Sequence, residues 1–489
     1  MSSPTPPKVD VTGLADLRAL LEQGKVIESV VHDSRLATPG SLYACLRGDH
    51  FDGHDFAVDA VRAGSIAVLV DHRLDGLDVD GAGPVAQILV DDTRLRLGPI
   101  AAEVAGHPSR ALATVGITGT NGKTTTAALL AAIFEAAGRP CGVVGTLSGP
   151  RTTPEAPELQ SVLAGFVADA KTAAVLEVSS HALAMHRVDG TEFDAVVFTN
   201  LGHDHLDLHG THEAYFRAKA KLFDPSFTGL GVVNLDDAYG RLIADASVSE
   251  QPGREFRVAG YSTSDLSAVE VSASDHRYVW RGRHVRVPMG GDFNVSNSLA
   301  ALTTAVELGI DADVAVGGLV ELASVPGRFE VIDTAQSRRR GISVVVDYAH
   351  TPDGLERVIA AAQAVVGVGG GVSVVFGCGG DRDRAKRPVM GRVAAAAADR
   401  VIVTSDNPRH EPPEQIIHEV LAGIETGSHA DVSAIVDRRE AIVQAIERAT
   451  TGDVVVVAGK GHEATQEFTD HTIEFDDRAV ARAILEALA

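Results

Sequence analysis

The sequence predicts an α/β protein of three domains, and three observations carry that prediction. Its 489 residues are about three times the usual domain length. A glycine loop between an apolar strand and an Ala/Leu-rich helix lies at Thr114–Thr126, reading TVGITGTNGKTTT, the order of a phosphate-binding loop. Past residue 328, four apolar strands each end in charged residues, as in doubly wound sheets that place ligands at the carboxyl ends of parallel strands. The expected domains are 1–110, 111–328 and 329–489, with a P-loop ATPase-like centre and a Rossmann-like third domain.

Composition narrows the function. A formal charge of −23 argues against nucleic acid or a membrane surface as a partner, because phosphate-rich polymers are repelled. Any anionic substrate must meet local positive charge. Cys45, Cys141 and Cys378 are isolated and odd in number, which favours a reducing compartment over a disulfide framework. The first residues, MSSPTPPKVD, lack a charged-then-apolar signal, and no apolar run approaches the ~18 residues of a spanning helix. A cytoplasmic protein without membrane insertion is expected, acting as a monomer.

In the first section Asp33-Ser34-Arg35 and the loop Arg47–Gly53 lie between short strands such as Ala67–Val70. Alone they read as turns of a small α/β domain. In the second section the loop residues Gly119, Thr120, Asn121 and Gly122 lead to Lys123, a charge for the outer phosphates, and Thr124, a hydroxyl for Mg2+. Ile117 stands where the common motif has glycine, so the loop is a compressed version. The strand Ala173–Leu176 ends in Glu177-Val178-Ser179-Ser180-His181, and Ala195–Phe198 runs into His203-Asp204-His205. Glu177 and His205 suit a Mg2+ site at these strand ends.

A helix follows with Tyr215, Phe216, Lys219, Leu222 and Phe223 near one face; Lys219 lies on or beside that apolar face and Lys221 points elsewhere. By its residues alone Lys219 reads as a stem covering core with its head in water. Asn294 and Asn297, at the start of a helix running to Leu308, can cap it or pair with a planar base. In the third section strands Ile342–Val346, Val372–Phe376, Arg400–Thr404 and Asp453–Ala458 end in DYAHTPD, GCGGDRD, SDNPR and GKGHE. Acidic residues with a basic side chain at every strand end, His350 being the basic one at the first, fit a substrate carrying ammonium and carboxylate groups.

GTNGKTTT, EVSSH, DHLD, AKAKLF, NVSN, DYAHTPD, GCGGDRDRAKRP, DNPR and GKGHE, in that order along the whole chain, resemble the Mur ligase family, and most closely its diaminopimelate-adding branch. The resemblance implies an ATP-dependent ligase that converts a carboxylate of UDP-MurNAc-L-Ala-D-Glu to an acyl phosphate, which the amine of meso-diaminopimelate attacks. It implies that Gly119 to Thr125, including Lys123 and Thr125, hold the phosphates, that Thr124 and Glu177 hold one Mg2+, and that His205 and a carbamylated Lys219 hold a second. A carbamate presents carboxylate-like oxygen where an ammonium cannot ligate, so the resemblance overrides the snorkelling reading of Lys219. His350 and Asp347 would close on the nucleotide, with Asn294 and Asn297 at the adenine.

For the nucleotide-sugar peptide the resemblance implies Ser34, Asp49, His50, Phe51, Thr152, Thr153, Ser179 and Arg187. For diaminopimelate it implies Arg382, Asp406, Asn407, Pro408, Arg409, Gly459 and Glu463, with Arg409 taking the second carboxylate bidentately. Lysine-adding relatives usually lack this arginine. Two departures stand out: Gly202-His203, where relatives often have serine and a basic residue, and Met185 at an often polar spot. The competing readings are a ligase for L-lysine or another amino acid, an inactive Mur-ligase-like partner protein, and a folate-polyglutamylating relative, which the first section and DNPR do not suit.

Overall fold

The computed structural model describes residues 14–22, 24, 26–48, 50–77, 79, 85–202, 209–247, 256–322, 324–425 and 427–488. The expected α/β class is what it shows, as three mainly parallel sheets in sequence. The first sheet pairs Ser29–Val31, Ser41–Ala44, Ala67–Val70 and Ala86–Leu89 in that spatial order, all parallel. Its two inner strands are buried throughout, so they read as unbroken apolar runs rather than alternating ones.

The second sheet has six parallel strands in the order 257–261, 230–234, 195–198, 113–118, 173–177, 141–144. The chain leaves Ala113–Thr118 for one side of the sheet and later returns to its other side. The phosphate loop therefore sits where the strand order reverses, the crevice that open α/β sheets use for ligands. The helix that follows is Lys123–Ala136. It packs with helices Phe293–Glu307 and Ala312–Val320 into one core, which also takes in Trp280 and Val285 of a three-stranded antiparallel sheet. A Cβ at Gly318 would lie 2.8 Å from the Ile133 backbone, so this helix crossing requires glycine.

The third sheet runs 330–331, 343–347, 454–458, 372–376, 400–403, 431–434, with only its first strand antiparallel. The four apolar strands identified from sequence lie side by side, and the last of them in the chain inserts between the first two. Edge strands 330–331 and 431–434 were not anticipated, because Glu330-Val331 is two residues long and Asp431–Ala434 is half polar and partly exposed. A two-stranded hairpin, Thr465–Glu467 with Thr472–Glu474, follows the GKGHE turn. Among the described residues no helix is long and apolar enough to cross a membrane.

Candidate active site

The phosphate loop is a matter of backbone geometry. Gly119 has φ +149 and Gly122 has φ +87, both left-handed, and a Cβ at either would strike Thr199 or Asn297 respectively. Asn200 pins the turn from the neighbouring strand: its Oδ1 accepts from Asn121 N–H at 3.0 Å and its Nδ2 donates to Asn121 O at 3.1 Å. Thr120 is tied in by Tyr215 (3.1 Å) and by Gly202 N–H (2.9 Å). The helix starts at Lys123, directing the N–H groups of its first turn, including Thr125, out of the loop. Lys123 Nζ folds over the loop, donating to Gly119 O at 2.8 Å and Thr120 O at 2.9 Å.

Two further elements deliver side chains to this loop. Glu177, fully buried at its strand end, accepts from Thr124 Oγ1 at 2.9 Å and from Thr146 N–H at 2.9 Å. A Thr hydroxyl joined to a buried carboxylate is an oxygen donor pair that fits Mg2+. Lys219 is 1% exposed, with its Nζ donating to Gly119 O at 2.8 Å and lying 4.5 Å from the Tyr215 ring centre. Its head is therefore turned inward to the loop, not outward to water, while Lys221 is exposed. His205, expected as a metal ligand, lies outside the described residues, as do His203, Asp204 and Asp49.

The two asparagines expected at the adenine are deeply placed. Asn294 is fully buried and donates to Gly290 O at 2.7 Å, while Asn297 donates to Asn294 Oδ1 at 2.9 Å and abuts Gly122. Neither caps the helix, which Asp292 does; these bonds brace its first turn. His350 Nδ1 meets Tyr348 O at 2.9 Å, and His350 O accepts from Lys386 Nζ at 2.9 Å. Asp347 braces the interdomain segment, accepting from Phe329 N–H at 2.7 Å, and burial raises its pKa. A Cβ at Gly202 would lie 2.7 Å from Asp353 Oδ2, the movable end of a side chain, so packing does not demand glycine at this departure.

Thr153 and Ser179 meet at the end of strand Ala173–Glu177: Thr153 Oγ1 donates to Glu177 O at 2.8 Å and accepts from Ser179 N–H at 3.2 Å. Thr152 contacts Thr146 at 3.0 Å. Arg187 donates to Thr153 O at 3.3 Å and pairs with Glu155 at 2.8 Å; burial lowers its pKa, and Glu155 offsets part of that. Arg94, from the first section, joins Glu155 at 3.3 Å and donates to Met185 O, so Met185 acts there through its backbone. Ser34 opens a short helical turn capped by Asp33, and in the neighbouring loop His50 is exposed and Phe51 is 74% exposed. No hydrogen bond or ion pair given for the described residues joins these three to the Thr153–Arg187 group.

At the third sheet, DNPR and GKGHE meet. Asn407 Nδ2 donates to Glu463 Oε2 at 2.9 Å, and buried Lys460 bridges Asn407 Oδ1 (2.9 Å) and Glu463 (3.1 Å). Gly459, at φ +112, lies against Asp406, whose carboxylate accepts from Asn407 N–H. Arg409 adopts φ +51 and pairs with Glu467 at 2.9 Å, and Pro408 O packs closely on Gly380. Arg382 is exposed on the adjoining loop. Beneath them Arg387 joins Glu411 and Glu419 at 2.8 and 2.7 Å; its hydrogen bond holds the Glu411 carboxyl down at about 2, and Arg384, helped by Arg387, does the same for Glu419.

Sequence reasoning missed Arg328, Lys460, Glu467, Glu155 and Thr146. Arg328 lies at the expected domain boundary, donates to Thr124 Oγ1 at 3.2 Å and stacks on Tyr348 at 4.4 Å. Only Lys460 carried a signal, its place inside GKGHE.

A phosphate loop at a topological switch point, an oxygen donor pair beside it and a charged strand-end pocket in a following sheet define a multidomain α/β nucleotide-dependent enzyme. Three profiles match: "Mur ligase family, catalytic domain" at residues 26–104, "Mur ligase middle domain" at 117–305 and "Mur ligase, glutamate ligase domain" at 327–461. The chain belongs to the Mur ligase family. It is 41% identical to the UDP-N-acetylmuramoyl-L-alanyl-D-glutamate--2,6-diaminopimelate ligase of Streptomyces avermitilis, covering 99% of each chain. The protein of that name from Syntrophomonas wolfei is 40% identical over 94% of each. A solved structure of a ligase with that name superposes with a TM-score of 0.64 at 35% identity, covering 94% of this chain and 95% of the other.

Proposed function

We propose that this chain adds meso-2,6-diaminopimelate to UDP-MurNAc-L-Ala-D-Glu in an ATP-dependent, ADP-forming reaction of cytoplasmic peptidoglycan precursor synthesis. The observation that carries the reading is the meeting of Asn407, Arg409, Lys460 and Glu463 at one sheet edge, with the phosphate loop in the sheet before it. The name and near-complete coverage of the relatives support the same substrates.

In this reading a substrate carboxylate oxygen attacks the γ-phosphorus of ATP and ADP leaves. The amine of diaminopimelate then attacks the acyl carbon, loses a proton and expels phosphate, forming the amide. Lys123 and the N–H groups opening its helix hold the phosphates. Mg2+, when bound by Thr124 and Glu177, supplies charge neutralisation for the phosphoryl group in transfer. Carbamylated Lys219 and His205 are the proposed second set of ligands. Arg187 and Thr153 orient the muramoyl peptide, and Ser34 with the Asp49–Phe51 loop takes the uridine end. Arg409 receives the distal carboxylate of diaminopimelate, while Glu463 and Asp406 face its ammonium. The proposed domain limits stay at 110 and 328, supported by the first sheet ending at Leu89, the second beginning at Ala113 and the third beginning at Glu330.

The test is phosphate release by the pure protein with ATP, Mg2+ and UDP-MurNAc-L-Ala-D-Glu, with meso-diaminopimelate, L-lysine or no amino acid. Release with diaminopimelate alone is expected. Release with lysine instead would overturn the specificity, and silence with all three would overturn the reaction.

A further inference from the structure

The segment after GKGHE runs alongside DNPR and reads it residue by residue. Gln466 Nε2 donates to Asp406 O at 2.7 Å, Glu467 N–H to Asn407 Oδ1 at 3.1 Å, and Arg409 N–H to Glu467 O at 3.1 Å. Thr469 Oγ1 donates to Arg409 O at 2.7 Å, and Arg409 pairs with Phe468 as an isolated parallel bridge. Arg409 is thereby held at φ +51, a left-handed conformation that a non-glycine residue seldom adopts. Its side chain is held as well: Nε donates to Glu467 Oε2 at 2.9 Å and Nη1 to Gly380 O at 3.0 Å. A guanidinium carries its N–H groups in a fixed plane. With Nε and one Nη1 proton engaged, the protons left are the second on Nη1 and both on Nη2, at the tip of the fork.

We propose that Glu467, at the end of the first hairpin strand, is a specificity-positioning residue for amino-acid selection. Its carboxylate closes the Nε edge of Arg409, so a substrate carboxylate is met end-on by Nη1 and Nη2. This rests on the reading of Arg409 as the receptor of the distal carboxylate and adds the element that aims it. Glu467 is partly exposed, so its charge is screened by water and its main effect is orientation. An amino acid ending in an ammonium gains nothing from the same arrangement.

The experiment compares wild type, Glu467→Ala, Glu467→Gln, Thr469→Val and Arg409→Ala as full-length proteins, measuring kcat and KM for each of the three substrates. Glu467→Ala is expected to raise the KM for diaminopimelate about tenfold, the scale of one charge-assisted hydrogen bond. Its kcat and its KM for ATP and the nucleotide-sugar peptide stay within about twofold of wild type. Glu467→Gln, whose amide oxygen still accepts from Nε, recovers most of the loss. Thr469→Val, missing only the bond to Arg409 O, raises the same KM by about threefold. An unchanged diaminopimelate KM in Glu467→Ala, or an equal rise for all three substrates, overturns the proposal. If Arg409→Ala raises that KM while Glu467→Ala does not, only the positioning role fails. If Arg409→Ala also leaves it unchanged, the pocket itself is misassigned. Should Glu467→Ala fail to fold, the Gln and Val variants decide: no change in Thr469→Val, with Glu467→Gln raising all three KM values together, rejects the role.

Discussion

The phosphate loop, with Lys123 over backbone donors, and the Arg409 cluster, with Arg409 and Lys460 set among Asp406, Glu463 and Glu467, are built in opposite ways. The loop is a contiguous stretch whose donors are backbone N–H groups, shaped by Gly119 and Gly122 at positive φ. The pocket is gathered from residues 406–409, 459–463 and 465–469, and its donors are side chains aimed by other side chains. A loop of this kind fails when a Cβ enters it. A pocket of this kind tolerates small backbone changes and fails when a neighbour is lost, because each group is oriented by the next.

Four variants break or sharpen that contrast, the largest effect first. Lys219→Ala removes the buried amine at Gly119 O whose carbamate is the proposed second metal ligand. Turnover is expected to fall by about a thousandfold or more, the scale of an electrostatic group in phosphoryl transfer, with the circular dichroism spectrum unchanged. Unaltered phosphate release would remove Lys219 from the site. Gly119→Ala puts a methyl against Thr199 Oγ1 and 3.1 Å from Asn200 N in a backbone only glycine adopts freely. Calorimetry should record an ATP affinity lower by about a hundredfold, since both strain and collision must be relieved. Arg409→Lys should cut the preference for diaminopimelate over lysine by about tenfold, because a point charge cannot reproduce the planar fork. Equal discrimination in competition assays would sink the pocket assignment while leaving the loop untouched.

The smallest effect is one of pH. Burial lowers the pKa of His462, beside the pocket, to about 4 from an ordinary 6.5. Between those values the unfolded chain binds the proton that the folded chain refuses, so stability rises with pH across this window and is lost as pH falls from 6.5 toward 4. His462→Gln should flatten the dependence of the urea midpoint on pH between 6.5 and 4 and leave it unaltered above 7. An unchanged slope would show that His462 titrates as an exposed histidine does.

How far each region was legible follows from the same contrast. The loop, its flanking strand and helix and the four apolar strands of the third sheet stand in the sequence as local patterns of glycine, period and apolar run. The pocket was legible only as motif words. DNPR and GKGHE named Asn407, Arg409 and Glu463, while Glu467, which takes the Nε edge of Arg409, sits outside both words in a short polar strand. Lys219 shows the boundary between the two. Helical spacing placed it on the apolar face, but whether its amine reached outward to water or inward to Gly119 O was a choice between two directions from one Cα.

By itself the sequence determined the class, the order of domains, the strand, glycine loop and helix around Lys123 and the family, because strand and helix periods, glycine loops and motif order are written between near neighbours. The tertiary structure alone decided that Arg328 reaches Thr124 across 204 residues of chain, that Lys460 is buried between Asn407 and Glu463, and that a hairpin sets the direction of Arg409. Those are hydrogen bonds between side chains far apart in sequence, whose partners are chosen by packing and leave no periodic trace along the chain.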